Sequence, residues 1–243
     1  FRLNTLADVV EVNGHAMTDV DAARIKSGMR DREWKGMEAI EDVCIACAAD
    51  NAYNPVLDYL NGLVWDGGAH INALAECLYS DDPDTVYQDG TALPAAGIYL
   101  MRWLIGACAK VFDQQQNAML VVVGPQGIGK DYLAEWLCSG LPKHFLASPI
   151  NPNDKDFWLR LMHTWIWSVS ELDATTRRAD VAALKDFITR RVVTARKPYG
   201  KNDITKPALA SMFGSVNPSS GFLVDESGNR RFMTVNINRI DRG

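Results

Sequence analysis

Apolar residues change their spacing near residue 118. Before that point most recur at helical intervals, and after it several come in short unbroken runs. Residues 6–20 read as a short strand, a turn at Asn13-Gly14 and a second short extended piece. Asp19 and Asp21 offer N-caps for a helix through Met29, and a second helix covers Met37–Ala52 until Asn54-Pro55 stops it. Val56–Leu63 is apolar at helical spacing and ends in the turn Trp65-Asp66-Gly67-Gly68. Further helices are predicted over Ile71–Tyr79 and Ala95–Phe112, with the acidic loop Asp81-Asp82-Pro83-Asp84 between them. Residues 1–113 are therefore expected to form a mostly helical N-terminal domain, a collar or a DNA-binding adaptor, with Gln114–Asn117 as the linker out of it.

Beyond the linker, Met119–Val123 (MLVVV) is a fully apolar strand of the kind buried in a parallel sheet. A helix follows over Asp131–Ser139, then a second buried strand over Thr164–Val169. Ala182–Thr189 reads as helix, Arg191–Asn202 as a hairpin, and Leu209–Val216 and Phe232–Ile237 as two more strands. Strands alternating with helices after a glycine-rich turn make residues 118–243 an α/β domain with a parallel sheet core.

Composition refines this picture. A chain of 243 residues with 47% hydrophobic content can bury a core and divide into two units. Its net charge of −5 does not by itself suggest a polyanionic partner, but residues 177–206 hold nine bases against three acids. That local surplus of +6 leaves −11 elsewhere, and local sign decides where a polyanion docks. Of five cysteines only Cys44 and Cys47 form a CxxC, with no second pair to complete a zinc site, so they read as buried helix thiols. The four histidines have no metal-like spacing, and Trp158, Trp165 and Trp167 read as core. No signal peptide and no apolar run of membrane-spanning length is apparent, which makes the cytosol the expected compartment, with no membrane partner. The first residue, Phe1, reads as the start of a fragment.

The candidate chemistry begins at Gly124-Pro125-Gln126-Gly127-Ile128-Gly129-Lys130, a GxxxxGK loop between an apolar strand and a helix. Glycines let successive N–H groups point at a polyphosphate, the helix start adds partial positive charge, and Lys130 can reach the β- and γ-phosphates. Asp131 follows where such loops carry Ser or Thr for Mg²⁺; its carboxylate is also a hard oxygen ligand. Tyr132 completes the expected nucleotide-binding set. The second strand leads to Ser170-Glu171-Leu172-Asp173, where Glu171 is the candidate general base and second metal ligand, with Asp173 in support. Ser168 and Ser170 stand where an acid is expected, which with Asp131 suggests that carboxylate and hydroxyl have exchanged places around the metal. Asn217, at the tip of the third strand, can hold the lytic water or touch the γ-phosphate; alone it would be a turn residue. Arg230 and Arg231 precede the last strand, and one of them can act across a subunit interface on the transferring phosphoryl group. Paired arginines are otherwise surface charge.

Several segments together resemble the virulence-associated protein E family, ATPases of phages and mobile elements related to superfamily 3 helicases and often fused to primases. They are Asn54–Leu60 with Trp65-Asp66-Gly67, the loop at 124–130, Glu171-Leu172-Asp173, Leu184–Thr189, Arg196-Lys197-Pro198-Tyr199-Gly200, Asn217, and Phe222–Phe232. The resemblance implies an AAA+-like P-loop NTPase core of superfamily 3 helicase type, Mg-ATP hydrolysis, and a homo-hexameric ring moving on single-stranded DNA. It also implies that Asn217 is the sensor and Arg230/Arg231 the trans-acting pair, in a phage or mobile-element replication system within the bacterial cytoplasm. Asp131, Ser168 and Ser170 depart from the family pattern.

The resemblance further implies a hairpin projecting into the ring channel. Here that interval holds Arg190, Arg191, Arg196, Lys197, Tyr199 and Lys201. Bases can follow a phosphate backbone while a tyrosine stacks on a base; the plainer reading is a solvated positive face. The leading expectation is thus an ATP-dependent DNA helicase with ATP and Mg²⁺ as cofactors. The alternatives are a P-loop kinase, or a nucleotide-binding assembly module whose Asp131 impairs hydrolysis.

Overall fold

The computed structural model describes residues 1–33, 36, 39–86, 92–150, 157–170, 172, 178–196, 203–218 and 231–241. The chain divides into two compact units, Phe1–Leu63 and Val64–Gly243.

In the first unit, β1 (Arg2–Asn4) pairs antiparallel with β2 (Val9–Val12), which pairs with β3 (His15–Ala16). Asn13 (φ 50°) and Gly14 (φ 84°) make the β2–β3 turn, the left-handed pair that a two-residue hairpin requires. Helix α1 (Asp19–Arg30) is capped by Thr18, not by an aspartate. The Thr18 hydroxyl accepts from the Asp21 N–H at 3.2 Å while the Asp21 carboxylate accepts from the Thr18 N–H at 2.9 Å, a reciprocal box. Helix α2 (Ile40–Asp50) buries Ile40, Cys44 and Ala48 but leaves Cys47 exposed, so only one of the two thiols is a core residue. After β4 (Ala52–Tyr53), parallel to β1, Asn54 caps α3 (Pro55–Gly62) by accepting from Val56 and Leu57.

The second unit is α/β. It opens with α4 (His70–Glu76), three two-residue strands β5 (Leu78–Tyr79), β6 (Thr85–Val86) and β7 (Ala92–Leu93), and the long helix α5 (Ala95–Asp113). Its sheet is built from β8 (Met119–Val123), β9 (Phe145–Ala147), β10 (Ile166–Val169), β13 (Ser211–Val216) and β14 (Phe232–Asn236), all parallel, in the order β14-β8-β13-β10-β9. Between its strands come α6 (Lys130–Leu137), α7 (Phe157–His163), α8 (Arg178–Thr189) and the antiparallel ribbon β11 (Val192–Arg196) and β12 (Asp203–Pro207). The expected hairpin is present, with its second strand beyond Asn202 and residues 197–202 outside the described set. Strand β15 (Arg239–Ile240) closes the chain against β5. Residues 140–163 carry no predicted element, because β9 and α7, three and seven residues long, are too short to give a periodic signal.

One face of the sheet packs on Leu161 and Met162 of α7, Leu184, Phe187 and Ile188 of α8, and Val193 of β11. The other is covered by α5 and α6. Trp167 and Trp165 are buried, as expected of core residues.

Helix α5 belongs with the sheet, so the compact units part at 63/64 and not at the boundary near 113 read from the sequence. The reason is polar as much as apolar. Trp103 Nε1 donates to the Met212 carbonyl at 3.0 Å, Lys110 Nζ to the Ala210 carbonyl at 2.8 Å, and Trp165 Nε1 to the Ala107 carbonyl at 3.3 Å. Asn117 then ties the Trp103 carbonyl to Ser211 Oγ, at 3.0 and 3.2 Å. By length and composition α5 could cross a membrane, which the sequence reading did not anticipate, and half of its apolar window is buried inside the protein.

Candidate functional site

Strand β8 delivers the chain to the glycine loop at the carboxyl end of the sheet, between the ends of β13 and β14. The Gly124 N–H donates to the Val216 carbonyl at 3.1 Å, and the Ile237 N–H donates to the Val123 carbonyl at 2.8 Å. A Cβ on Gly124 would lie 2.1 Å from the Ile237 carbonyl oxygen, so only glycine lets the loop leave the sheet there. Gly127 (φ 85°) and Gly129 (φ 99°) take left-handed backbone, which turns the loop back over the start of α6. The N–H groups and partial positive charge at that helix start favour an anion.

Lys130 lies beneath this loop, buried. Its Nζ donates to the carbonyls of Gly124 (2.5 Å) and Pro125 (2.8 Å) and to Asn217 Oδ1 (3.3 Å). Two side chains separated by 87 positions thus meet, because β13 is hydrogen-bonded directly to β8. A cleft of about 260 Å³ opens there, lined by Gln126, Gly127, Gly129, Lys130, Asp131, Tyr132, Ser215, Val216 and Asn217. Parallel sheets bind ligands in such crevices beyond the strand ends.

Asp131 enters the cleft from the first turn of α6. Its Oδ1 accepts a hydrogen bond from Ser215 Oγ at 2.9 Å. The hydroxyl beside this carboxylate therefore comes from β13 and not from Ser168 or Ser170, since β13 stands between β10 and β8. Ser168 is buried, and its hydroxyl has no partner among the described residues. Asp131 and Ser215 are hard oxygens suited to a divalent cation, but no three of His, Cys, Asp and Glu converge among the described residues. A cation here would take its remaining ligands from phosphate, water or residues outside the described set. Ser215 escaped the sequence reading; its signal was the period of two that puts it on the same side of the strand as Asn217.

Tyr132, 54% exposed, lines both this polar cleft and an apolar one beside it. The second cleft, also about 260 Å³, is formed with Leu74, Cys77, Leu133, Trp136, Ile240 and Asp241. Nothing in the local sequence marked it, because α4 and β15, which meet α6 there, come from opposite ends of the unit.

Glu171, Asp173, Arg230, Lys197, Tyr199 and Lys201 lie outside the described residues. Leu172, between the two candidate acids, is buried against Gly214 of β13. Arg231 stands just before β14, where its carbonyl accepts from the Met119 N–H at the amino end of the sheet. Five residues at ~3.3 Å each separate that level from Gly124, roughly 16 Å. Arg231 is thus beyond side-chain reach of the loop in its own chain, and it lines a separate cavity with Gln116, Asn117 and Thr189.

The basic candidates differ in their commitments. Arg190 pairs with Asp186 and its guanidinium lies 4.3 Å from the Trp158 ring centre, so it braces α8. Arg196 spans the ribbon to Asp203 at 2.7 Å and stays exposed, as does Arg191.

The sequence model of the virulence-associated protein E-like domain matches residues 60–243. No curated protein sequence matches the chain. Among solved structures, an apo form A structure of the NrS-1 C-terminal region is similar over 60% of this chain at 19% identity and a TM-score of 0.45. A second structure of that region is similar over 60% at 17% identity, also with a TM-score of 0.45. The matches span about a third of those chains, 33% and 34%.

Proposed function

Because the chain belongs to the virulence-associated protein E-like family, we propose that its second unit is a P-loop NTPase of AAA+ type, a Mg-ATP-hydrolysing DNA helicase. It works as a ring on single-stranded DNA in the replication of a phage or mobile element, in the cytoplasm, alongside a primase or other replication proteins. The observation that carries this reading is the Lys130 ammonium, held between a left-handed glycine loop and Asn217 at the carboxyl ends of parallel strands.

The parts then have distinct tasks. Gly124 to Gly129 and the start of α6 receive the phosphates, Lys130 neutralises them, and Tyr132 with the neighbouring apolar cleft receives the base. Mg²⁺ supplies charge neutralisation on the phosphates, with Asp131 and Glu171 as its protein ligands. Glu171, supported by Asp173, takes the proton of the attacking water, and Asn217 orients that water. Arg231 or Arg230 comes from the neighbouring subunit, which the distance of Arg231 from its own loop supports. Arg190 and Arg191 flank the ribbon, and Arg196, Lys197, Tyr199 and Lys201 form its DNA-facing end.

A carboxylate at position 131 favours a second reading, a nucleotide-binding assembly module with slow turnover; a small-molecule kinase is the third. ATPase assays of the full chain with and without single-stranded DNA separate the three. DNA stimulation that Lys130→Ala lowers by about 10²-fold or more supports the motor. ATP binding without turnover supports the module, and turnover only with a small acceptor supports the kinase.

A further inference from the structure

The residue after the loop lysine is where a P-loop protein offers a neutral hydroxyl to the cation, the acid coming from a neighbouring strand. Here the charge sits on α6 itself. Asp131 is exposed, and it is the one carboxylate among the described residues lining the cleft. Ser215 Oγ donates to its Oδ1 at 2.9 Å, which fixes the carboxylate toward β13. Strand β10 brings no acid along Ile166–Val169; at the position facing the α6 side it carries the hydroxyl of Ser168, which has no partner among the described residues.

This arrangement has an electrostatic consequence. The helix start and Lys130 attract a polyphosphate, whereas a carboxylate in the same cleft repels it. In a partly exposed site a unit like-charge contact weakens binding by at least about tenfold. A divalent cation held by Asp131 would reverse the sign, because it would offset the charge of the carboxylate and of the phosphates together.

We propose that the cleft admits nucleoside triphosphate only as its divalent-cation complex, with Asp131 as a carboxylate ligand and Ser215 as the positioning residue that aims it. The inference rests on the phosphate-loop reading above and adds a selection step to it: metal-free nucleotide is rejected by the protein's own charge.

The test is equilibrium binding of a fluorescent ATP analogue to the full chain, in Mg²⁺ and in EDTA, with Mn²⁺ electron paramagnetic resonance on the bound complex. Asp131→Ser and Asp131→Asn are expected to bind metal-free analogue about tenfold or more tighter than the unsubstituted chain, and to lose the carboxylate's contribution to the Mn²⁺ signal. Ser215→Ala keeps the charge, so its EDTA affinity stays low while its Mg²⁺ affinity falls about threefold. If both Asp131 variants bind metal-free analogue no tighter than the parent, while Lys130→Ala abolishes binding, the selection step is wrong and the phosphate loop stands. An unchanged Mg²⁺ affinity in Ser215→Ala removes the positioning role. Absence of any Lys130-dependent binding in either buffer overturns the phosphate-loop reading and the inference together.

Discussion

Gly124 shows how little freedom the loop has. The obstacle to a side chain there is a backbone oxygen, Ile237 O at 2.1 Å, which cannot rotate away. Gly124→Ala should therefore destabilise the unit by about 3 kcal/mol and weaken nucleotide binding, as urea unfolding and an affinity measurement would show. Gly214 meets the end of a Leu172 side chain at the same distance, which has more room to give. The loop glycines and Lys130 were legible in the sequence because their requirement is local: a tight turn between a strand and a helix. Ser215 was not, because its importance depends on which strand lies beside β8. Nor was the Thr18 cap: Thr18 and the two aspartates after it offer similar local chemistry, and the box geometry selects among them.

Helix α5 carries a buried ammonium whose partner is a backbone carbonyl. Burial lowers the Lys110 pKa from 10.5 to about 8. The folded protein therefore sheds this proton near pH 8 while the unfolded chain keeps it to about 10.5. Lys110 contributes a penalty that is full below pH 8 and is relieved as the pH rises to 10.5, up to about 3 kcal/mol. Burial raises Cys138 to about 12, and the hydrogen bond to the Ile166 backbone opposes it, so that thiol acts oppositely above pH 9. Comparing the parent with Lys110→Met cancels the thiol. Stability of the parent relative to the variant should climb between pH 8 and 10.5, measured by urea unfolding at each pH; parallel curves would show that burial does not lower the Lys110 pKa and that the folded protein keeps this proton as long as the unfolded chain does.

The β11–β12 ribbon gives a second test at this level. Reversing charge at Arg196, Lys197 and Lys201 should weaken single-stranded DNA binding and reduce the slope of log K against log salt by about two to three. Unchanged binding would place DNA elsewhere. The edges of the sheet are also managed: Asp82 accepts from the Asn236 N–H and side-chain amide, both at 2.8 Å, and so covers edge strand β14. The acidic loop, read from the sequence only as a connection, has this structural duty.

For the molecule as a whole, the decisive fact is the separation of Arg231 from its own loop. If it acts on a neighbour's nucleotide, Arg231→Ala chains should bind ATP normally but hydrolyse it about 10³-fold more slowly. Mixing them with Lys130→Ala chains, inactive for a different reason, should restore activity, because an intact loop then meets an intact arginine across an interface. No recovery over any mixing ratio would exclude Arg231 as the trans residue and leave Arg230. The family match begins at residue 60, close to where the second compact unit starts, and that agreement makes 64–243 the piece on which to attempt the mixing experiment once its independent folding is established.

Local pattern settled a good deal about this chain. MLVVV had to be a buried strand, glycines at 124, 127 and 129 had to make a tight loop, and Lys130 had to open the helix behind it. These are consequences of backbone sterics and of burial at short range. Strand order was a different matter, since parallel pairing joins β8 to β13, about 90 residues away, and is decided by packing on both faces. That order inserted β13 between β8 and β10, and so brought Asn217 to Lys130 and Ser215 to Asp131. It also sent Arg231 to the far end of the sheet and drew α5, by its bonds to strand-end carbonyls, into the α/β unit.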